Sequence, residues 1–201
     1  MILIDGKEIA NQIKAEIAQE VKILREERGR APHLAAVLVG NDPASETYVA
    51  NKEKACFEVG MSSSVYKISA DTTEEKLIET IEFINNDTEI DGLIVQLPIP
   101  KHISANRVIE SILPQKDVDG FHPVNVGRMV IGQPCYLPAT PFGISMLLER
   151  NKIETSGKNC VIVGRSNIVG TPLSIMLSRN NPLANCTVTL CHSKTKDLAK
   201  I

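Results

Sequence analysis

Lys158-Asn-Cys-Val-Ile-Val-Gly164-Arg-Ser-Asn-Ile-Val-Gly170-Thr-Pro172 is the stretch that decides the fold. Lys158–Val163 reads as a strand, Gly164–Gly170 as a turn and Pro172–Ser178 as a helix, and Thr187-Val-Thr-Leu-Cys191 follows as a second strand. A strand, a helix and a second strand in this order form a βαβ unit, which pairs its strands in parallel. The turn is not a G-x-G-x-x-G fingerprint. A glycine turn leading into a helix start still presents backbone N–H groups to an anion such as a pyrophosphate. Arg165 and Ser166 add side-chain donors. The second strand ends in His192-Ser193-Lys194, without the acid that would hydrogen-bond a free ribose hydroxyl and repel a 2′-phosphate. Arg165 with Ser193 therefore points to NADP over NAD.

Outward from this unit the same alternation continues. Ile9, Ile13, Ile17, Val21 and Leu24 recur at helical spacing, and Arg28-Gly29-Arg30-Ala31-Pro32 ends that helix. Leu34–Val39 is a continuous apolar run, the pattern of a strand buried on both faces. Asp42-Pro43 supplies an N-cap and a proline for the first turn of the next helix, and Gly60 its stop. Val65–Ile68 reads as a short strand, and a helix from Thr73 to Asn86 carries the stripe Leu77, Ile78, Ile81 and Ile84. Gly92-Leu-Ile-Val-Gln-Leu97 reads as another buried strand stopped by Pro98, and Ser104–Leu113 as a short helix. Pro114 to Pro138 carries Gly, Pro, Asp and Asn at close intervals and reads as one long irregular segment, of the kind that is functional or mobile. Thr140-Pro141 caps a helix running through Met146-Leu-Leu148. The fold class is α/β: an N-terminal parallel α/β lobe plus an incomplete Rossmann-type lobe. The second lobe is short, because a dinucleotide-binding sheet is built from two three-stranded halves and the residues from Lys158 supply one strand–helix–strand unit. The sequence reads as a truncated one, ending where a helix would begin.

Composition narrows the function classes. The 201 residues are 43% hydrophobic and 23% charged, the balance of a globular domain. A formal charge of -2, from 22 basic and 24 acidic residues, gives no electrostatic support for a nucleic-acid or membrane-surface partner. No run approaches the length of a membrane span. Neither a signal-peptide nor a transit-peptide pattern opens the sequence, and the five cysteines form an odd set without C-x-x-C, so the thiols read as reduced and cytoplasmic. The histidines and cysteines show no metal-ligand spacing, so no metal is expected.

Three further groups carry candidate chemistry. Tyr48 and Lys52 lie four apart on a helix and so share one face, a phenol beside an ammonium, or simply a solvated face. Gln96 is a polar group at the C-terminal end of an apolar strand, where ligands of open α/β sheets bind; it also fits a side chain satisfied by loop backbone. Lys116-Asp117-Val118-Asp119-Gly120 places two carboxylates in the long loop, suited to a polar ligand or to a turn held by Asx hydrogen bonds. The spacing of a calcium loop is missing.

Taken in order, Tyr48-Val-Ala-Asn-Lys52-Glu-Lys54, Asp91-Gly-Leu-Ile-Val-Gln96-Leu-Pro-Ile-Pro100, Lys116-Asp-Val-Asp119-Gly-Phe-His-Pro-Val-Asn-Val-Gly127, Pro138-Ala-Thr-Pro141-Phe-Gly143 and Gly164-Arg-Ser-Asn-Ile-Val-Gly170-Thr-Pro172 resemble the bifunctional methylenetetrahydrofolate dehydrogenase/cyclohydrolase family over the whole chain. The resemblance implies a cytoplasmic homodimer of one-carbon metabolism, with residues 1–138 as a catalytic folate-binding domain and 139–201 as the start of an NADP-binding Rossmann domain. It implies oxidation of 5,10-methylenetetrahydrofolate with NADP⁺ and hydration of the methenyl product to 10-formyltetrahydrofolate. Lys52 would be the catalytic lysine, Tyr48 would orient the folate, Gln96 would tune Lys52, and Asp119 would grip the pterin amino edge. Gly164, Arg165 and Ser166 would hold the cofactor, with Ser193 near its adenosine phosphate. Two departures stand out: Ala139 replaces the usual cysteine, and the family's Pro-Gly-Gly-Val-Gly-Pro segment is not in the sequence, so this form is expected to lack part of its nucleotide site and to be impaired. A non-catalytic folate-binding or interaction fragment is the alternative. Tyr-x-x-x-Lys also marks short-chain dehydrogenases, but there the glycine turn precedes the pair, the reverse of the order here.

Overall fold

The computed structural model describes residues 3–201, in two compact units: Ala10–Val118, and residues 3–9 together with Asp119–Ile201. The first unit is built on a parallel sheet of β1 (His33–Val39), β2 (Ser62–Ile68) and β3 (Gly92–Val95), in the order β2-β1-β3. β1 sits in the middle because it is apolar on both faces. Ala35, Val37 and Val39 pack with Leu77, Ile81 and Ile84 of α3 (Glu74–Asn86) and Val108 of α4 (Ala105–Ser111). On the opposite face Ala36 and Leu38 meet Val49 of α2 (Pro43–Glu58). Each such side chain taken from water contributes about 1.5–3 kcal/mol before the cost of ordering it.

Helix ends in this unit follow the local chemistry. The Asp42 side chain accepts from the Ser45 N–H at 2.8 Å and Pro43 follows it, which fixes where α2 starts. Thr73 and Ser104 play the same part for α3 and α4. The expected apolar stripe of α1 (Gly6–Arg28) is covered unevenly: Val21 is buried, whereas Ile17 is exposed. Beneath the N-terminal end of β3, Arg30 donates from both terminal nitrogens to Asp91, at 2.6 and 2.9 Å, and the His33 N–H donates to the same carboxylate. This fork holds the Asp91 carboxyl below the usual carboxylate range.

The second unit contains α5 (Pro123–Ile131), α6 (Ala139–Arg150), β4 (Asn159–Val163), α7 (Gly170–Ser178) and β5 (Thr187–Cys191), closing on a short 3₁₀ turn, Leu198–Lys200. β4 and β5 pair in parallel, as expected of the βαβ unit. Their inner face, with Ile162, Val188 and Leu190, packs on Leu173 and Leu177 of α7 and on Ile144 and Leu148 of α6. The other face is open, with Val161 44% and Val163 68% exposed.

Three expectations need correction. Pro114–Pro138 is not irregular throughout, since it holds the two-and-a-half-turn helix α5. His122 accepts the Val124 N–H on Nδ1, Pro123 opens the first turn and Gly132 closes the last in the left-handed conformation, so the residues that looked like breakers are its punctuation. Strand β3 stops at Val95, leaving Gln96 just outside it, although the Gln96 N–H still donates to Val37 O at 2.9 Å. Helix α6 begins at Ala139 after Pro138 and has no side-chain cap, so Thr140 lies inside the helix. Among the described residues no helix is long and apolar enough to cross a membrane.

Candidate functional site

The C-terminal ends of β1 and β3 lie side by side, and α2 follows β1 after Gly40. That geometry puts Lys52, on the third turn of α2, opposite Gln96 at the end of β3. Lys52 Nζ donates to Gln96 Oε1 at 3.3 Å, while Gln96 Nε2 donates to the Leu97 carbonyl at 2.7 Å. Loop backbone takes its amide hydrogen, which turns its oxygen to the lysine. Lys52 makes further polar contact, is half-buried, and holds its amine where a strand end, a helix and a loop meet. Tyr48, one turn earlier on α2, is 63% exposed and offers an open aromatic ring. In the loop, the two carboxylates part company. Asp117 is 2% exposed and pairs through its backbone with Leu93, as part of the sheet edge. Asp119 is half-buried, has polar contacts of its own and opens the second unit. Lys116 turns inward, donating to the Ile84 and Asp87 carbonyls at 2.9 and 2.6 Å, where burial pushes its amine down. Its work is to cap the end of α3.

In the second unit the turn after β4 is closed from within. The Gly164 N–H donates to Cys191 O, tying the ends of β4 and β5 together. Ser166 Oγ accepts from the Val169 N–H at 3.2 Å, and the Thr171 N–H and hydroxyl donate to the carbonyls of Ser166 and Arg165. Thr171, to which its motif assigns no role, is thus the latch of the turn; a hydroxyl one residue inside the helix is the signal for it. Gly170 is obligatory, because a Cβ there would sit 1.8 Å from the Gly164 carbonyl oxygen. Helix α7 has no side-chain cap; with the Thr171 N–H donating within the turn and Pro172 lacking an N–H, the Gly170 N–H is the donor left in its first three residues, and Arg165 and Ser166 lie exposed beside the turn. Past β5, the His192 N–H donates to Thr195 Oγ1 and His192 Nδ1 accepts from the Lys194 N–H, a tight turn that leaves Ser193 exposed at its tip. These features fit the pyrophosphate and adenosine end of a dinucleotide. Among the described residues no cluster of three or more His, Cys, Asp or Glu forms a metal cage. All five cysteines are free thiols, and burial pushes those of Cys56, Cys135 and Cys160 up, away from the reactive thiolate.

Comparison with known proteins matches residues 4–119 to the catalytic domain of tetrahydrofolate dehydrogenase/cyclohydrolase and residues 138–201 to the NAD(P)-binding domain of the same enzymes. The chain is 56% identical over 200 residues to the bifunctional protein FolD of Azobacteroides pseudotrichonymphae, and equally to that of Bacteroides thetaiotaomicron; all of this chain and 68% of each relative are covered. Among solved structures, the bifunctional FolD of Campylobacter jejuni superposes with a TM-score of 0.95 at 44% identity, covering 100% of this chain and 70% of that one. The Trypanosoma brucei FolD, complexed with NADP cofactor and inhibitor, gives 0.90 at 33% identity, covering 97% and 65%. With both domain models matched in order and the catalytic one spanning more than half its length, the chain belongs to the tetrahydrofolate dehydrogenase/cyclohydrolase family.

Proposed function

We propose that this chain oxidises 5,10-methylenetetrahydrofolate to the methenyl form with NADP⁺ and hydrates that product to 10-formyltetrahydrofolate. The observation that carries the reading is the Lys52 amine held on Gln96 Oε1 at the carboxyl ends of the sheet. Family membership and the glycine-closed turn of the second unit support the cofactor. The matched segments, ending at 119 and resuming at 138, support a folate-binding domain of residues 1–138 and a nucleotide-binding domain beginning at 139. The resemblance further supports a homodimer acting in the cytoplasm.

Hydride leaves a carbon flanked by two nitrogens whose lone pairs take up the developing positive charge, so the protein's task in that half is to position its ligands. Tyr48 gives the pterin a ring to lie against, and Asp119 accepts from its amino edge. Gly164, Arg165 and Ser166 would hold the pyrophosphate and Ser193 the adenosine phosphate; NADP⁺, when bound, supplies the hydride acceptor. In the second half, water adds to the methenyl carbon and loses one proton; the hydroxyl so formed then gives up its own proton to become the formyl carbonyl, as the bond from that carbon to one ring nitrogen breaks and that nitrogen takes a proton. Lys52 stands for that proton movement, and Gln96 aims it. Lys52→Met should lower the hydration of methenyltetrahydrofolate at least about a hundredfold, the usual worth of a positioned acid or base. Loss of the methenyl chromophore measures it; hydration at the unsubstituted rate would overturn the assignment. Tetrahydrofolate binding without any NADP⁺-dependent rise in nicotinamide absorbance would instead identify a folate-binding fragment.

A further inference from the structure

A second recess lies in the nucleotide-binding unit, bounded by α6, by α7 and by the segment that follows α7. It encloses about 130 Å³. Leu137, Phe142, Met176 and Leu183 form apolar walls, and no aspartate or glutamate lines it. Two nitrogen donors do. Arg179, the residue that ends α7, is half-buried, and its guanidinium has no ion pair or hydrogen bond among the described residues. Its backbone is fixed, since the Arg179 carbonyl accepts from the Asn181 and Asn185 N–H groups at 3.0 and 2.9 Å, and its guanidinium extends towards Gly132. Asn181 is oriented too, since its Oδ1 accepts from the Leu183 N–H at 2.9 Å, which leaves its Nδ2 as an uncommitted donor.

We propose that this recess binds a small organic carboxylate, one with an apolar body of about a single ring. A planar guanidinium fork matches a carboxylate edge with two parallel hydrogen bonds. The apolar walls penalise a bare, strongly hydrated anion such as phosphate but reward a hydrocarbon body. The space is close to the ~150 Å³ of a cavity known to take benzene. Nothing in this argument uses the Lys52 site or the glycine turn, so the proposal stands apart from the catalytic reading.

Benzoate is the probe, with benzamide as its uncharged counterpart. With the 201-residue chain labelled at its methionine methyls, titration with benzoate should shift the Met176 signal and saturate. Benzamide should bind about tenfold or more weakly, and so should benzoate to Arg179→Met, the expected loss for one charge-assisted fork. Leu183→Trp, which fills the recess and leaves Arg179 in place, should block benzoate equally. Arg165→Met should leave benzoate affinity unchanged and weaken NADP⁺. No Met176 shift up to the solubility of sodium benzoate, or benzoate binding that survives both Arg179→Met and Leu183→Trp, overturns the proposal. So does inorganic phosphate competing as well as benzoate, which would make the recess a plain anion site, or loss of benzoate binding only in Arg165→Met, which would place the anion on the nucleotide turn.

Discussion

Strands β1 and β4 begin as the same kind of sequence and end in different surroundings. Leu34–Val39 and Cys160–Val163 are both unbroken apolar runs, and both open a strand–helix–strand unit. In β1 every residue from Ala35 to Val39 is buried, because helices lie on both faces of the three-stranded sheet. In β4 only Ile162 is buried, and its neighbours Val161 and Val163 face outward from a two-stranded sheet. An apolar run states what a strand can bury, and the layers around it decide what it does bury. The difference also separates two kinds of site. Lys52–Gln96 rests on a sheet packed from both sides, whereas the turn after β4 is held chiefly by its own hydrogen bonds.

The comparison breaks most directly at Leu93, fully buried in the β3 layer. Leu93→Ala should cost about 2–5 kcal/mol, read as faster hydrogen exchange of the β1 and β3 amides. A loss below one kcal/mol (roughly the cost at a partly open site) would mean the first unit is less tightly layered than its burial shows. Next in size is Gly170→Ala, where the added methyl meets the Gly164 carbonyl. We expect about 1–3 kcal/mol of destabilisation, confined to the amides of β4, β5 and α7, and weaker NADP⁺ binding by titration. Unchanged nucleotide affinity would show that the turn does not carry the cofactor.

Asp91 sharpens the contrast through pH. Its carboxyl is depressed first of all by the Arg30 hydrogen bonds, so its contribution is complete above the ordinary carboxylate value and is lost as pH falls through its lower folded value. Its side chain is 38% exposed, and screening holds the contribution to about 1 kcal/mol. Urea melts of wild type and Asp91→Asn should therefore differ at neutral pH and converge under acid; a constant gap would remove the fork from the account. The smallest effect is expected at Val163, 68% exposed. Val163→Thr should move stability by less than about 0.5 kcal/mol in the same melts, and a cost of core size would show that its face is covered in solution.

Much of the molecule was legible in order of residues alone, wherever a local rule carried the information. Asp42-Pro43 marked the start of α2, the stripe Leu77, Ile81 and Ile84 marked the buried face of α3, and the glycines of 164–170 marked the turn. The same local reading failed at α5. Pro123 and Gly132 break helices in general but bracket one here, and only the burial of Asn125 and Met129, four apart on one face, distinguishes the two cases. The site divides similarly. Tyr48 and Lys52 could be put on one helix face from their spacing, whereas the separate fates of Asp117 and Asp119 could not be read from two identical carboxylates. Arg179 and Asn181 carry no motif at all, and their common recess exists only because α6, α7 and the following turn converge.

Sequence alone determined the parallel α/β class, the alternation of strands and helices, the glycine-bounded turn after β4 and the family, because each depends on residue type at fixed local spacing. Tertiary structure alone decided that Lys52 meets Gln96 across 44 residues of chain, that Asp117 is built into the sheet edge, and that β1 is enclosed while β4 is open on one side. Those outcomes depend on which surfaces the packed layers bring within hydrogen-bond or van der Waals range, and no local pattern encodes that distance.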